Sequence, residues 1–378
     1  MLPVPRSSLA LLPLQGVTPE ELTVAVPGLL VSEARKIVSH VHRELPLPKS
    51  ASWIRRGWMD AVVARASLPT LDVVAEQRSA EDPFVKLALG LPDGAVIETV
   101  RIPLEKPGRF SVCVSSQVGC ALACTFCATG RMGLGRNLET WEIVEQVRAV
   151  KRTLDPAQGE RVHGVVFQGM GEPMANVERV LAAIAVLTEP SAHPVDSRNI
   201  TVCTSGLPSG IVRLAEAAPR VRLGLSIGSA RSVVRRQLMP IDVAHSLSDV
   251  MEAAVFHAKT TGLSPMWAVT LLAGVNDTPE DGHALAAMAR DFAAKTGRRP
   301  RISVIPYNSI TTTDDPFSRS SEASEAGFRE ALRDGGFASH KRYSGGGDVA
   351  AACGQLSSAQ VPRGAVVDSR RLAREARG

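Results

Sequence analysis

Three closely spaced cysteines are the residues of this sequence most suited to chemistry. Cys120, Cys124 and Cys127 follow one another as CxxxCxxC, with the aromatic Phe126 directly before the last of them. Thiolates are the preferred ligands of iron–sulfur clusters, and a four-iron cluster with three protein ligands leaves one iron open to another molecule. The spacing therefore indicates a four-iron, four-sulfur cluster with an open coordination site.

A structural zinc site is the alternative interpretation of this segment. Zinc requires four ligands, and the fourth would have to come from Cys113 or from a histidine. The paired CxxC spacing that is usual for zinc is absent. Four of the six cysteines fall within fifteen residues, which in a cytosolic chain indicates metal or redox chemistry before structural disulfides.

The composition is that of a globular protein with a mildly basic surface. The 378 residues include 43 Lys and Arg against 38 Asp and Glu, which gives a net charge of +5. This balance suits an RNA partner, and ordinary arginine usage would produce it equally well. No apolar run reaches the roughly 18 residues of a membrane span. Five prolines interrupt residues 1–30, unlike a signal peptide, so we expect a cytoplasmic protein without membrane contact.

Short β-rich runs alternate with amphipathic stretches after residue 110. The runs predict strands at Ser111–Ser115, Gly164–Gln168, Ile200–Thr204, Val221–Ile227, Met266–Leu272 and Arg301–Tyr307. The stretches predict helices near Glu139–Lys151, Val177–Leu187, Gly210–Ala217, Ser246–Thr260, Pro279–Thr296 and Glu322–Asp334. Strands separated by helices imply a parallel sheet. Six such units predict an α/β fold of partial (β/α)6-barrel type over residues 111–345, with its chemistry at the carboxyl ends of the strands.

The first 77 residues are predicted to form a small helical module. Its clearest element runs from Leu29 to His42, where Leu30, Ala34 and Val38 form an apolar stripe. We expect this module to grip structured RNA through four basic residues. They are Arg35, Lys36, Arg55 and Arg56.

Two further segments flank the predicted barrel. Residues 78–110 are predicted to form a connecting β-hairpin, with strands Phe84–Leu89 and Val96–Ile102 on either side of the turn Pro92-Asp93-Gly94. Residues 346–378 form a C-terminal segment that contains Cys353 and ends in an arginine-rich tail. The tail carries little functional weight because disordered arms of this kind are common at chain ends.

Four motifs in order along the chain resemble the RlmN and Cfr family of radical S-adenosylmethionine RNA-adenine methyltransferases. They are the stretch Cys113–Cys120, the run Phe126–Gly130 (FCATG), the loop Gln168–Pro173 (QGMGEP) and the C-terminal stretch Asp348–Leu356 (DVAAACGQL). The resemblance runs colinearly from about Phe84 to Leu356 and is looser before it. One such motif would be a weak signal, and four in order are specific. The resemblance implies that S-adenosylmethionine binds the open iron of the cluster and that RNA is the substrate.

The same resemblance implies that the methyl group travels through a cysteine. Carbon 2 of adenine offers no nucleophile for a direct attack on the sulfonium methyl. Cys353 would accept the methyl from one S-adenosylmethionine, and a radical made from a second would activate it for addition to the ring. Cys113 would then release the product through a transient disulfide, driven by its thiolate character.

Two of these residues have ordinary alternatives when considered alone. Glu98 matches the family's general base that removes the ring proton, but a single carboxylate in a strand by itself indicates a solvent-facing side chain. Cys353 taken alone is equally well a small buried hydrophobic residue.

The resemblance also assigns contacts to S-adenosylmethionine. Gly171 and Glu172 match the loop that meets its amino group, because glycine allows close backbone approach and a carboxylate accepts from an ammonium group. Cys203, Ser226 and Asn308 match further cofactor contacts. Ser226 and Asn308 are also typical strand-end caps or turn residues, and their shared position at strand ends favours the cofactor role.

The chain departs from the family pattern at three places. The family usually has Ser at Cys203, His at Gly228 and an Arg-Gly-Asp-Asp-like run at Gly345–Asp348. The differences remove a hydrogen-bonding ring and a bidentate cation, and the glycine run makes the loop before Cys353 more flexible. We expect a divergent family member that keeps the reaction chemistry, because the five cysteines of that chemistry and Glu98 are all present.

The expected substrates are the family's best-known targets, an adenosine in the peptidyl transferase centre of 23S rRNA and one beside the tRNA anticodon. We expect a monomer that receives electrons from a reducing partner such as flavodoxin. Three alternatives stay open at this point. They are methylation at carbon 8 of adenine, a radical S-adenosylmethionine reaction on a peptide or small molecule, and a non-enzymatic iron–sulfur redox protein.

Overall fold

The computed structural model describes residues 11–49, 51–192, 194–310, 314–343 and 345–357. The arginine-rich tail lies outside these ranges. The N-terminal part comprises β1 (Leu12–Pro13), α1 (Pro19–Ala25), α2 (Val31–His42), α3 (Trp58–Val63) and β2 (Ala66–Ser67), with β1 and β2 paired in parallel. The predicted helix is present as α2. Its buried stripe includes Ala34, Ile37 and Val38, whereas Leu30 lies just before the helix and is exposed.

Antiparallel strands connect this part to the barrel. They are β3 (Asp72–Arg78), β4 (Val85–Gly90) and β5 (Val96–Pro103), and β5 pairs antiparallel with the first barrel strand, β6 (Arg109–Val114). β4 and β5 are the predicted hairpin. β3 was not predicted, and it crosses the expected boundary at residue 77. Its sequence, DVVAEQR, is polar at both ends, as is common for a strand at the edge of a sheet.

A short hairpin then carries the cysteine motif. It comprises β7 (Gln117–Cys120), the one-turn helix α4 (Ala128–Arg131) and β8 (Gly133–Asn137), and β7 pairs antiparallel with β8. This hairpin was not predicted, because the glycines of β8 obscure its strand pattern. It projects from the carboxyl end of β6, so the cysteines lie at the edge of the barrel where the chemistry was expected.

The remaining elements alternate between helices and strands. They are α5 (Thr140–Lys151), β9 (Arg161–Phe167), α6 (Val177–Thr188), β10 (Ile200–Thr204), α7 (Pro208–Ala217), β11 (Arg222–Ser226), α8 (Ser232–Leu238), α9 (Leu247–Thr261), β12 (Met266–Leu271), α10 (Pro279–Thr296), β13 (Arg301–Pro306), α11 (Glu322–Asp334) and β14 (Ser339–Lys341).

Among the described residues, ten strands form one sheet in the order β14-β13-β12-β11-β10-β9-β6-β5-β4-β3. From β6 to β13 the six neighbouring strands are parallel, and β14 extends them with a short parallel strand at the edge. The prediction of an α/β fold with a partial six-unit barrel is confirmed. β3, β4 and β5 continue the same sheet beyond β6, so the hairpin is bonded directly to the barrel.

Local sequence explains why these elements form where they do. The parallel strands are apolar runs buried on both faces, with Val202, Leu223 and Trp267 fully buried. α10 begins at Thr278, whose hydroxyl and Asp281 form reciprocal capping hydrogen bonds, and it ends at Gly297 in the left-handed conformation at φ +67°. These signals are local, which is why the predicted bounds of α10 agree with the structure.

The N-terminal part packs on the outside of the barrel against α5. Gly16 lies against the backbone of Trp141, where a Cβ would overlap it. Arg148 of α5 donates to the Val41 carbonyl oxygen and pairs with Glu145 at 2.8 Å. None of the helices in the described ranges is both long and apolar enough to cross a membrane.

Candidate active site

The three cysteines of the motif line one open cavity at the carboxyl ends of the barrel strands. Cys120 ends β7, and Cys124 follows a turn in which Ala123 adopts the left-handed conformation at φ +51°. The Cys127 N–H then donates to the Cys124 carbonyl oxygen at 3.2 Å. Gly171, Glu172 and Ser226 line the same cavity. The backbone thus presents all three sulfurs to one open space at the strand ends.

The donor set fits a cluster better than a single ion. Among the residues that the structure describes, no three His, Cys, Asp or Glu side chains converge on one point as ligands of a single metal ion. A four-iron cluster holds each thiolate on a different iron, so its ligands need not surround one point. Burial raises the pKa of Cys120 to about 11 and that of Cys124 to about 12, so metal binding must displace thiol protons.

The QGMGEP loop lies beside the cysteine hairpin and is fastened to it by Gln117. The Gln117 side chain accepts a hydrogen bond from the Glu172 N–H at 2.8 Å and donates one to Asn137 at 2.7 Å. Gly171 has φ +95°, and a Cβ there would overlap the Gln117 side chain. Only glycine fits this close approach without strain.

Glu172 is buried with its carboxylate at the cavity wall. Its two oxygens accept from the N–H groups of Met174 at 2.9 Å and Ser205 at 2.8 Å. Burial raises the pKa of Glu172, and these hydrogen bonds oppose that rise. Each carboxylate oxygen has a second lone pair. The side chain can therefore still accept a hydrogen bond from an ammonium group.

The other expected cofactor contacts lie in two places. Cys203 and Ser226 line the same cavity as the three cysteines. Asn308 is held against the chain near Cys353, where its side-chain amide donates to the Cys353 carbonyl oxygen at 3.4 Å. Contact of all three with S-adenosylmethionine stays a prediction.

Neighbouring side chains fill the space at the two missing family residues. A Cβ at Gly228, which has φ +69°, would meet the Met239 sulfur. A Cβ at Gly345 would overlap the Phe84 ring and the Asp82 carboxylate. In the present loop conformations, the packing at Gly228 and Gly345 leaves no room for the His and Arg side chains that the family usually has there.

The thiols of Cys113, Cys203 and Cys353 lie around the Arg342 guanidinium, next to the cluster cavity. Cys353 lines both this cavity and a second one, which Cys113 and Arg342 also line. Arg342 donates to the Gln168 side chain at 2.8 Å, and the pKa of Arg342 is raised mainly by its electrostatic interaction with the nearby Cys353 sulfur. All six cysteines are free thiols. Cys203 belongs to the same group, and burial raises its pKa to about 12.

Cys113 differs from its expected state. Its thiol is buried, and burial raises its pKa well above the ordinary value of a cysteine, with the Cys353 charge adding to the rise. The expected thiolate character is therefore absent in this arrangement. Attack by Cys113 on another sulfur requires prior loss of its proton.

Glu98 is buried, which overturns the interpretation of an isolated strand carboxylate as solvent-facing. Its Oε1 pairs with the Lys86 ammonium at 3.0 Å, and the two side chains are 2% and 1% exposed. Its Oε2 accepts from the Ser357 N–H at 2.8 Å. We call residues 345–357 the Cys353 segment. Glu98 thus contacts the segment that carries Cys353.

The four basic residues expected to bind RNA do not share one environment. Arg55 forms a double hydrogen bond with Glu33, which is 4% exposed, and lies 4.4 Å from the centre of the Trp58 ring. The Arg55 side chain is the main reason that the pKa of Glu33 falls to about 2. Arg55 therefore stabilises the module itself. The other three are exposed, and Arg35 pairs with Glu20 at 3.6 Å.

Sequence reasoning missed three residues of this site. Lys86 and Arg342 belong to none of the motifs found in the sequence, and Gln117 was only part of a matched stretch. Ala88 is the cross-strand partner of Glu98, and Lys86 lies two residues before Ala88 on the same face of the sheet. A predicted register for β4 and β5 would therefore have brought the two charges together. No comparable local signal marks Arg342.

The chain is similar to known proteins over most of its length. Residues 114–286 match the radical SAM superfamily. A probable RNA methyltransferase of Sorangium cellulosum is 57% identical over 364 residues, which cover 91% of this chain and 92% of that protein. A probable dual-specificity RNA methyltransferase RlmN of Moorella thermoacetica is 36% identical and covers 91% and 96% of the two chains.

A solved structure is similar over nearly the same length. The crystal structure of a radical SAM methyltransferase from Sphaerobacter thermophilus matches with a TM-score of 0.80 at 34% identity, covering 91% of this chain and 99% of that one. Radical SAM enzymes use a four-iron cluster together with S-adenosylmethionine. The chain belongs to the radical S-adenosylmethionine RNA methyltransferases of the RlmN family.

Proposed function

We propose that this enzyme methylates carbon 2 of an adenine in RNA, with 23S rRNA and tRNA as substrates, through a methyl group carried on Cys353. The observation that carries the proposal is the position of Cys353. It lines the cavity of the cluster cysteines and also the cavity of Cys113, and its segment contacts Glu98. The shared cavity walls and the contact of this segment with Glu98 support a relay through Cys353.

Each residue of this site has a step in the proposed reaction. The Cys353 thiol would lose its proton and take the methyl group of one S-adenosylmethionine, whose methyl–sulfur bond breaks to leave S-adenosylhomocysteine. The cluster and a second S-adenosylmethionine, when bound, would supply the radical that removes a hydrogen atom from this methyl group and would take back one electron later. The resulting methylene carbon on Cys353 adds to carbon 2 of the ring, and the adduct gives up that electron. Glu98 then accepts the proton from carbon 2, which restores the aromatic ring.

Release of the product needs the second thiol. Cys113, once deprotonated, attacks the Cys353 sulfur, and the bond from that sulfur to the methylene carbon breaks. Its electron pair stays on the carbon, which takes up a proton and becomes the methyl group. The Cys113–Cys353 disulfide is reduced by an external thiol, and a protein of the flavodoxin class reduces the cluster.

Nucleoside mass spectrometry tests the proposal. RNA from a deletion strain should lack 2-methyladenosine in both rRNA and tRNA, and the wild-type gene should restore it. The Cys353→Ala gene should not. Appearance of 8-methyladenosine instead would transfer the proposal to carbon 8, and unchanged RNA nucleosides would contradict an RNA-adenine product.

The exposed basic residues of the N-terminal part give a separate prediction. Replacing Arg35, Lys36 and Arg56 together by Gln should weaken RNA binding, because fewer RNA phosphates are then neutralised by the protein. The slope of log affinity against log salt should become shallower by about 1 for each phosphate that is no longer neutralised. The measurement is a titration of labelled tRNA at several salt concentrations. Arg55 is left intact because its replacement would unpair the buried Glu33.

A matched control removes the same charge elsewhere. Lys259, Lys295 and Arg333 lie exposed on α9, α10 and α11. Their replacement by Gln should leave the salt slope near that of the wild type. Equal slopes for both triple variants would show that the N-terminal residues are an ordinary solvated face.

A further inference from the structure

Lys86 and Glu98 form an ion pair inside the protein. Ala88 is the cross-strand partner of Glu98, so Lys86 lies on the diagonal position of the same sheet face. The Nζ to Oε1 distance is 3.0 Å, and neither side chain is more than 2% exposed. A buried charge without a partner is strongly unfavourable, so each of these groups depends on the other. Lys86 therefore sets the position of the Glu98 carboxylate.

Lys86 also holds the chain that leads to Cys353. Its ammonium donates a second hydrogen bond to the Ala350 carbonyl oxygen at 3.3 Å. Ala350 adopts the left-handed conformation at φ +50°, which is unfavourable for a residue with a side chain. The hydrogen bond from Lys86 helps to stabilise this turn, and Cys353 follows it three residues later.

We infer that Lys86 is a positioning residue that aligns the Glu98 carboxylate with the methyl-carrying segment for removal of the ring proton. The inference rests on the proposed function of Glu98 and Cys353. Lys86 occupies Oε1 of Glu98, whereas Oε2 accepts the Ser357 N–H of the Cys353 segment. Oε2 is therefore the oxygen that becomes available to the ring once the Ser357 N–H no longer occupies it. Lys86 keeps the carboxylate in place.

The test separates proton removal from the earlier steps. Lys86→Met and wild type are compared in single turnovers with RNA that carries hydrogen or deuterium at carbon 2 of the target adenine. Methylation of Cys353, followed by protein mass, should stay within about twofold, because no proton leaves the base in that step. Loss of the label should slow by roughly ten- to a hundredfold with an increased isotope effect.

Asp348 offers a matched control on the same segment. Its carboxylate accepts from the Ala80 N–H at 2.9 Å and so fastens the segment without touching Glu98. Asp348→Ala removes this acceptor and should leave the isotope effect at the wild-type value. If Lys86 only fastened the segment, the two variants would behave alike, and that result would overturn the inference.

A second substitution at Lys86 keeps the test decisive if Lys86→Met does not fold. Lys86→Gln retains a hydrogen-bond donor without the charge, and it should show the same slow proton removal if Lys86→Met does not fold. A folded Lys86 variant with the wild-type isotope effect excludes the positioning role. Glu98→Gln, measured in parallel, separates failure of the inferred role of Lys86 from failure of Glu98 as the proposed base. If Glu98→Gln stalls and the Lys86 variants do not, only the role of Lys86 fails. If Glu98→Gln also removes the label normally, the proposed base fails.

Discussion

Replacement of Cys113 by alanine is expected to leave RNA covalently attached to the enzyme. Cys353 should still accept a methyl group and still join it to the base, because both steps precede the need for a second thiol. Without Cys113 no sulfur attacks Cys353, so the carbon–sulfur bond stays intact. A denaturing gel should show a shifted protein band that ribonuclease collapses, and turnover should be abolished.

The companion variant Cys353→Ala separates the two thiols. It has no sulfur to alkylate, so it should carry no methyl group, form no adduct and leave RNA unmodified. Cys203→Ser tests whether the third thiol of this group substitutes for Cys113. The combined Cys113→Ala and Cys203→Ser variant should accumulate the adduct to the same extent as Cys113→Ala. If Cys113→Ala and Cys353→Ala were both inactive and neither formed an adduct, the relay would be disproved. Methylation of RNA by Cys353→Ala would also disprove it.

Loss of any cluster cysteine should abolish both iron binding and radical formation. Anaerobically reconstituted wild-type protein should bind about four irons per chain and make 5′-deoxyadenosine when reduced with S-adenosylmethionine. Alanine at Cys120, Cys124 or Cys127 removes one of the three thiolates that would hold the cluster, so the cluster should no longer assemble. Iron analysis and chromatography of the nucleoside product measure the two losses.

Cys203→Ser is the matched control for the cluster. It removes a thiol from the wall of the same cavity and should retain about four irons. A triple variant of the cluster cysteines that still made 5′-deoxyadenosine would disprove the cluster assignment.

The barrel was predictable because its signals are local. A strand buried on both faces is an apolar run, and Ile200–Thr204 agrees with the structure at both ends. α11, Glu322–Asp334, also agrees, since Ser321 caps it. β3 lacks this signal because an edge strand tolerates charged residues. The cysteine hairpin lacks it because its second strand contains two glycines.

The buried charges could not be predicted in the same way. Lys86 and Glu98 each resemble a solvent-facing residue, and only the pairing of β4 with β5 and the cover of the Cys353 segment make them internal. Arg55 is the opposite case. It was expected to bind RNA phosphate, but its guanidinium pairs with the buried Glu33 carboxylate inside the protein. The family resemblance identified Glu98 and Cys113 by position, but it carried no information about their burial or their protonation.

The single sheet that joins the hairpin to the barrel makes the proposed base and the proposed resolving thiol parts of one hydrogen-bonded unit. Glu98 on β5 and Cys113 on β6 lie on neighbouring strands, and Ser115 ties the Glu98 carbonyl oxygen to the loop of Met170. Cys353 follows β14, at the opposite edge of the sheet from β3, and its segment returns to β4 and β5 through the hydrogen bonds of Lys86 to Ala350 and of Ser357 to Glu98. The segment thus cross-links the two ends of one open sheet, and the methyl-carrying sulfur of the proposed relay lies on that cross-link.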